Sequence, residues 1–394
     1  MSETKGGIIL KRIARELDTL RAQAQFRTLD APGGINLCSN DYLGLAAHPR
    51  LKQAVIEAVG RTSPVAATGS RLLSGNAPEW EDLEAEFAAF AGTEAALYFG
   101  SGYAANIGLL SSLLKPGDIV FSDALNHASL IDGIRLSHAE KVIYPHCDMQ
   151  FLEEALLEHR HAPGAKVIVT ESVFSMEGDV APLRELVALA RAYGAELVVD
   201  EAHAVGVHGP AGRGIAAEAG IEGEVLGIVH TCGKALASAG AMVCGSRALR
   251  DFLINRARTF LFSTAMPPYL AGQIHAALQL AREAELERAH LGELARILRQ
   301  ALASASLDCG ASATQIVPVM LGSNETALRV AGHLRENGFA VRAIRPPTVP
   351  LGAARLRLSL TSRLTVPDVE RLARAIRAAC EMPAQAASTG AVHA

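Results

Sequence analysis

Between positions 79 and 245 the hydrophobic residues follow two alternating rhythms. Trp80, Leu83, Phe87 and Phe90 fall at helical spacing and mark one buried face. Short apolar runs at 95–99, 119–122, 142–144, 166–170, 196–200, 225–230 and 241–244 read as buried strands. Between two of these runs, 182–193 reads as a helix, with Pro182 in its first turn and Gly194 just past its end. Strands alternating with helices predict a mostly parallel sheet covered on both faces. Upstream, 11–28 reads as a basic amphipathic helix with Leu17 and Leu20 inside, followed by an irregular stretch and a short strand at 35–37. Downstream, 268–304 carries a helical pattern long enough to bridge two domains. From Thr314 the rhythm restarts, with a strand at 316–321, a helix at 325–337, strands at 340–344 and 355–360, and a helix at 367–380. The fold class is therefore α/β, a large mostly parallel-sheet domain plus a small C-terminal α+β domain. The expected division is a helix and arm at 1–45, the large domain at 46–285, the small domain at 286–383 and a flexible tail at 384–394.

Composition narrows the function classes. The chain has 394 residues, 49% hydrophobic and 20% charged, too apolar for a disordered protein. Its 37 basic and 41 acidic residues give a net charge of −4, which offers no electrostatic case for a nucleic-acid or anionic-membrane partner. No apolar run approaches the ~18 residues of a membrane span. The opening residues carry charges where a secretion signal needs an apolar core. The six cysteines form no C-x-x-C pair, which fits a reducing cytoplasm better than a disulfide scaffold. The chain has no internal repeat.

In open α/β sheets, ligands bind beyond the carboxyl ends of the strands, and four polar clusters fall there. Gly100-Ser101-Gly102-Tyr103 makes a strand-to-helix turn whose backbone N–H groups suit a phosphate, or it is simply a glycine turn. It lacks the third glycine of G-x-G-x-x-G and the Lys-Ser/Thr of a Walker loop, so neither a nicotinamide site nor a P-loop is favoured. Asp200, three residues before His203, is placed either to hold a protonated heterocycle nitrogen or to cap the following helix. Lys234 lies among Gly233, Ala235, Ala237, Ser238, Ala239 and Gly240, where poor solvation would lower its pKa and make the amine a nucleophile. Its plain alternative is a surface lysine. His127 suits stacking on a flat ring, or a hydrogen-bonded loop position. Phosphate turn, ring acid, aromatic ring and imine-forming lysine together are what pyridoxal 5'-phosphate (PLP) requires. Metal ligation and serine hydrolysis find no matching motif: H-E-x-x-H, a cysteine pair and G-x-S-x-G are all missing.

The motifs 39–45 (SNDYLGL), 127–130 (HASL), 170–179 (TESVFSMEGD), 200–203 (DEAH), 231–234 (TCGK) and 263–268 (STAMPP) carry a resemblance that spans about 10–380. On them the chain resembles the α-oxoamine synthases, PLP-dependent transferases of fold type I. The run 344–350 (IRPPTVP), followed by 355–358 (RLRL), resembles the branch that serves biotin synthesis. The resemblance implies decarboxylative condensation of L-alanine with pimeloyl-CoA or pimeloyl-acyl carrier protein. It also leaves room for a sister activity such as glycine C-acetyltransferase. It implies that Lys234 binds the cofactor aldehyde, Asp200 pairs with the ring nitrogen, His203 meets the ring's phenolic oxygen and His127 stacks on the ring. Gly102, Tyr103, Ser175 and Thr231 would also bind the cofactor. Asn40 and Arg357 would meet the amino-acid carboxylate, and Arg27 and Thr348 the acyl substrate. Ser263 and Thr264 would reach the phosphate of a neighbouring subunit in a homodimer with shared sites. The chain departs from many members in having alanines after Lys234, and bulkier residues at 70–75. Two further classes stay in view: a non-catalytic homologue, which predicts a damaged site, and a nicotinamide oxidoreductase, which predicts the missing glycine fingerprint.

Overall fold

The computed structural model describes residues 7–31 and 33–382. The tail expected at 384–394 lies outside the described residues. In chain order the strands are β1 (Ile35–Asn36), β2 (Ala95–Phe99), β3 (Ile119–Asp123), β4 (Glu140–Tyr144), β5 (Lys166–Glu171), β6 (Glu196–Asp200), β7 (Gly227–Thr231), β8 (Ala241–Gly245), β9 (Ile316–Gly322), β10 (Phe339–Ala340), β11 (Ala343–Ile344) and β12 (Ala354–Ser359). Seven of them form the main sheet in the order β2-β8-β7-β6-β5-β3-β4. All its pairings are parallel except those of β8, which runs against both neighbours. The physical reason is the short connection 232–240. A parallel return needs a crossover of a dozen residues or more, whereas a short loop permits only an antiparallel neighbour.

Apolar residues fill both faces of this sheet. Along β2, Leu97 and Phe99 join one core while Ala96 and Tyr98 join the other, as the two-residue period of a strand dictates. The helix Gly102–Leu113 packs on the helix Ala128–Ser137 over the first face. The helices Pro78–Ala91, Met149–Glu158 and Leu183–Tyr193 feed the second. Each fully buried large side chain, such as Phe87, Phe121 or Leu197, contributes about 1.5–3 kcal/mol through removal from water. A separate antiparallel sheet, β11-β12-β9, is backed by the helices Asn324–Glu336 and Glu285–Ser304, against both of which the helix Val366–Glu381 packs.

Four details differ from the sequence reading. The first helix is Ile8–Ala22 and stops well before 28, because Ala24 takes a positive φ of 52° and the N–H groups of Gln25 and Phe26 both turn back to the Leu20 carbonyl. None of its residues is fully buried, so Leu17 and Leu20 are only half-covered. The long pattern at 268–304 breaks into Tyr269–Glu283 and Glu285–Ser304 at Ala284 (φ −83°, ψ 42°), and Arg288 reaches back across the break to the Ala281 carbonyl. The expected strand at 340–344 is two: β10 pairs with β1, and β11 pairs with β12.

Candidate active site

The carboxyl ends of β5, β6 and β7, with the turns after β2 and β3, surround a cavity of about 250 Å³. Ser101, Gly102, Tyr103, His127, Asp200, His203, Thr231 and Lys234 line it, so the four clusters separated in sequence share one space.

Lys234 sits in the loop joining β7 to β8. Three backbone bonds close that loop: Cys232 N–H to the Gly240 carbonyl, Ser238 N–H to the Cys232 carbonyl and Ala237 N–H to the Lys234 carbonyl, each 2.8 Å. Burial pulls the Lys234 amine down to about 8, against the opposing pull of Asp200 and Glu171. Its Nζ lies 2.7 Å from Nε2 of His203, whose Nδ1 lies 2.6 Å from the hydroxyl of Tyr42. The Tyr42 hydroxyl lies 3.0 Å from Oδ1 of Asn40. Burial holds His203 well below the usual histidine range, so its ring is neutral. One proton assignment then satisfies every member. Lys234 donates to Nε2, the Nδ1–H of His203 donates to Tyr42, and Tyr42 donates to Asn40. The same Asn40 oxygen accepts both terminal nitrogens of Arg357 at 3.1 Å, so the lysine and the arginine belong to one network.

Asp200, at the end of β6, is buried. Its Oδ1 accepts the Ala202 N–H at 2.8 Å and its Oδ2 accepts Asn106 Nδ2 at 2.6 Å. Asn106 also donates to Ser129 Oγ, 2.9 Å away, and Ser129 Oγ lies 2.8 Å from Nδ1 of His127. The Ser129 N–H donates to the same Nδ1, so that nitrogen accepts and the proton of the neutral ring is on Nε2. Burial lowers the His127 pKa, which keeps the ring neutral. Beside Asp200, Glu171 is buried with Oε1 unpartnered, and burial together with the Asp200 charge drives its carboxyl well above the usual range.

The glycine turn begins the helix Gly102–Leu113. Ser101 accepts the N–H groups of Ala104 and Ala105, while those of Gly102 and Tyr103 have no intrahelical carbonyl to reach. A Cβ on Gly102 would lie 2.7 Å from Cγ2 of Thr231, so the close approach of turn and β7 requires glycine. Thr231 spends its hydroxyl on the Ala202 carbonyl at 3.2 Å.

Other expected residues lie around this centre. The Ser175 carbonyl accepts Arg357 Nε. Arg27 Nη2 lies 3.4 Å from both the Pro346 carbonyl and Thr348 Oγ1. Ser263 and Thr264 are exposed and line no part of the cavity. Sequence reasoning missed Tyr42, Asn106, Ser129 and Glu171. Asn106 is one helical turn from Gly102, and Tyr42 and Glu171 stood inside motifs already singled out, so spacing and context held the signal.

Residues 32–376 match the family model for class I and II aminotransferases. A relative from Geobacter sulfurreducens, named 8-amino-7-oxononanoate synthase, is 47% identical over 381 residues, covering 93% of this chain and 97% of its own. The chain belongs to the 8-amino-7-oxononanoate synthases, within the class I and II aminotransferase family. A second family member, from Chlorobaculum parvum, is 44% identical over 383 residues, covering 93% of this chain and 97% of that protein. Among solved structures, the 8-amino-7-oxononanoate synthase of Francisella tularensis superimposes with a TM-score of 0.76 at 30% identity, over 88% of this chain and 97% of that one. A serine palmitoyltransferase from S. paucimobilis, solved with PLP and myriocin bound, reaches a TM-score of 0.87 at 29% identity, over 95% and 98%. These matches bear out the resemblance, the fold type and the PLP cofactor read from the sequence. The donor set fits that group: a buried amine, an anchored carboxylate across the cavity, and a helix N-terminus whose first N–H groups are open to a phosphate.

Proposed function

We propose that this protein condenses L-alanine with a pimeloyl thioester, releasing carbon dioxide and the free thiol and giving 8-amino-7-oxononanoate, a step of biotin synthesis. The observation that carries the reading is the buried Lys234 amine, 2.7 Å from a neutral His203 and sharing one cavity with Asp200 and the glycine turn. PLP, when bound, supplies an aldehyde for that amine and an electron-poor ring that draws charge from the substrate carbon.

The chain's own residues do the rest. With PLP bound, the Lys234 amine would be the base for the proton on the alanine Cα, and its lowered pKa leaves a useful fraction unprotonated near neutrality. Asp200, fixed by Asn106 and the Ala202 N–H, would hold a proton on the ring nitrogen. His127, oriented by Ser129, would cover the ring, and Nε2 of His203, the nitrogen that faces Lys234, would meet the ring oxygen. Gly102 and Tyr103 offer N–H groups to the phosphate, with Ser175 and Thr231 beside the cofactor. Arg357 and Asn40 orient the alanine carboxylate, and Arg27 and Thr348 meet the acyl chain. Ser263 and Thr264 serve the site of a second copy in a homodimer. Their own exposure, and that of the neighbouring Phe262 and of Leu73, support that placement. Cytoplasmic action is supported by six cysteines that are all free and by the described helices, none of which is long and apolar enough to cross a membrane.

The test pairs alanine or glycine with pimeloyl-CoA or acetyl-CoA and identifies products by mass spectrometry. The alanine–pimeloyl pair is expected to give the fastest turnover and the named product. Preference for glycine with acetyl-CoA would replace this reading with the sister activity.

A further inference from the structure

Two neighbouring residues at the entry of β9 reach out of the small sheet toward the site. Thr314 gives its hydroxyl and its N–H to the Gly178 carbonyl, at 2.8 and 3.1 Å, and so ties down the loop that carries Ser175. Gln315, only 2% exposed, spends both ends of its amide. Nε2 donates to the His203 carbonyl at 2.9 Å, and Oε1 lies 3.0 Å from Nε2 of His208. Chemistry fixes the orientation, because a carbonyl oxygen only accepts. The amide nitrogen therefore faces His203, the amide oxygen faces His208, and Nε2 of His208 carries its proton. Neither Gln315 nor His208 lines the cavity of the site.

His203 depends on such support. It lies in the turn after β6, outside any helix or strand. The N–H and carbonyl of Ala202 before it are taken up by Asp200 Oδ1 and the Thr231 hydroxyl. Among the described residues, Gln315 is the one partner of the His203 carbonyl. Without that amide, a buried carbonyl and a buried N–H would both be unpaired, and the turn would move to recover partners. The ring that sits 2.7 Å from Lys234 would move with it. The small sheet also carries Arg357, which pairs in register with Pro318 of β9, and the Leu360 N–H donates to the Gln315 carbonyl at 3.0 Å. One sheet thus holds both the arginine assigned to the alanine carboxylate and the amide that fixes the histidine.

We propose that Gln315, braced by His208, is a positioning residue that sets the His203 ring against Lys234 and the cofactor and fixes its place relative to Arg357. This rests on the roles given to His203 and Lys234 above, and not on the identity of the acyl donor.

The experiment compares PLP-loaded wild type with Gln315→Met, which keeps the length of the side chain and removes both hydrogen bonds. One readout is the midpoint of the pH titration of the bound cofactor's visible absorbance. The other is deuterium exchange at the alanine Cα without any acyl thioester, followed by NMR. The midpoint is expected to move by about half a unit to one unit, the size of one lost hydrogen bond on the pH scale. Exchange is expected to slow by about tenfold to a hundredfold through misplacement of the ring. A merely structural contact would lower stability in urea and leave the cofactor band where it is. An unmoved midpoint, or exchange at the wild-type rate, therefore overturns the proposal. Should Gln315→Met fail to fold, Gln315→Asn, one methylene shorter than the span between its two partners requires, is read by the same criteria. Product formation by the wild type tests the condensation reading separately, so failure of either is recognisable.

Discussion

Replacing Lys234 with methionine keeps a long apolar stem and removes the charge. In the folded protein the amine titrates at about 8 against 10.5 when unperturbed, the larger cause being burial. At 1.36 kcal/mol per pKa unit, charging Lys234 at pH 7 costs the fold about 3 kcal/mol. Because the folded pKa lies below the unfolded one, the cost is full below pH 8, fades through the interval and is gone above 10.5. The variant also strands Nε2 of His203, a loss of about 1–3 kcal/mol that does not follow the lysine titration. The two contributions separate by pH. Urea unfolding of both proteins, stripped of cofactor, is measured at pH 7 and pH 10. The stability of Lys234→Met relative to wild type should be about 2–3 kcal/mol more favourable at pH 7 than at pH 10. An unchanged difference would mean that the amine is not held short of its charge. The same shift governs reactivity: at pH 7 roughly one amine in ten is free, against roughly one in three thousand for an unperturbed lysine.

Three further outcomes follow from the site and its supports. Asp200→Asn should still bind PLP yet slow deuterium exchange at the alanine Cα by at least about a hundredfold, as NMR would read, because the ring nitrogen loses its anion; near-normal exchange would refute the role. His146 bridges Asp123 at 2.9 Å and Asp179 at 2.8 Å, and its carboxylate partners raise its pKa to about 12 despite burial. His146→Gln should therefore cost about 3–5 kcal/mol in urea unfolding by leaving two carboxylates unmatched. That gap is full below about pH 6.5 and should narrow as pH rises toward 12; a gap that widens contradicts the ion-pair account. Leu73→Glu or Phe262→Glu should shift the protein toward monomer in sedimentation and lower turnover, since each puts a charge on an exposed apolar position beside the residues assigned to the partner site; an unchanged dimer would remove that assignment.

Local pattern carried the main sheet because fully buried strands read as unbroken apolar runs, and all seven appear within a few residues of their expected ends. It could not give the direction of β8, which depends on the reach of the loop 232–240. Nor could it give the break at Ala284, where the apolar period continues across a backbone turn. For the site, strand ends predicted which clusters meet. The relay from Lys234 through His203 and Tyr42 to Asn40 was beyond reach, because its members lie up to 194 positions apart and only the packing of β1's neighbourhood on the sheet end joins them. The Asn106–Ser129–His127 support was hidden for the same reason, being a contact between two helices.

The account turns on Lys234 as the residue that binds the cofactor. Borohydride reduction of the PLP-loaded protein, followed by digestion and mass spectrometry of the peptides, tests it directly. A phosphopyridoxyl group is expected on the peptide containing Lys234 and nowhere else. Recovery of that peptide unmodified, or labelling confined to another lysine, would contradict the account.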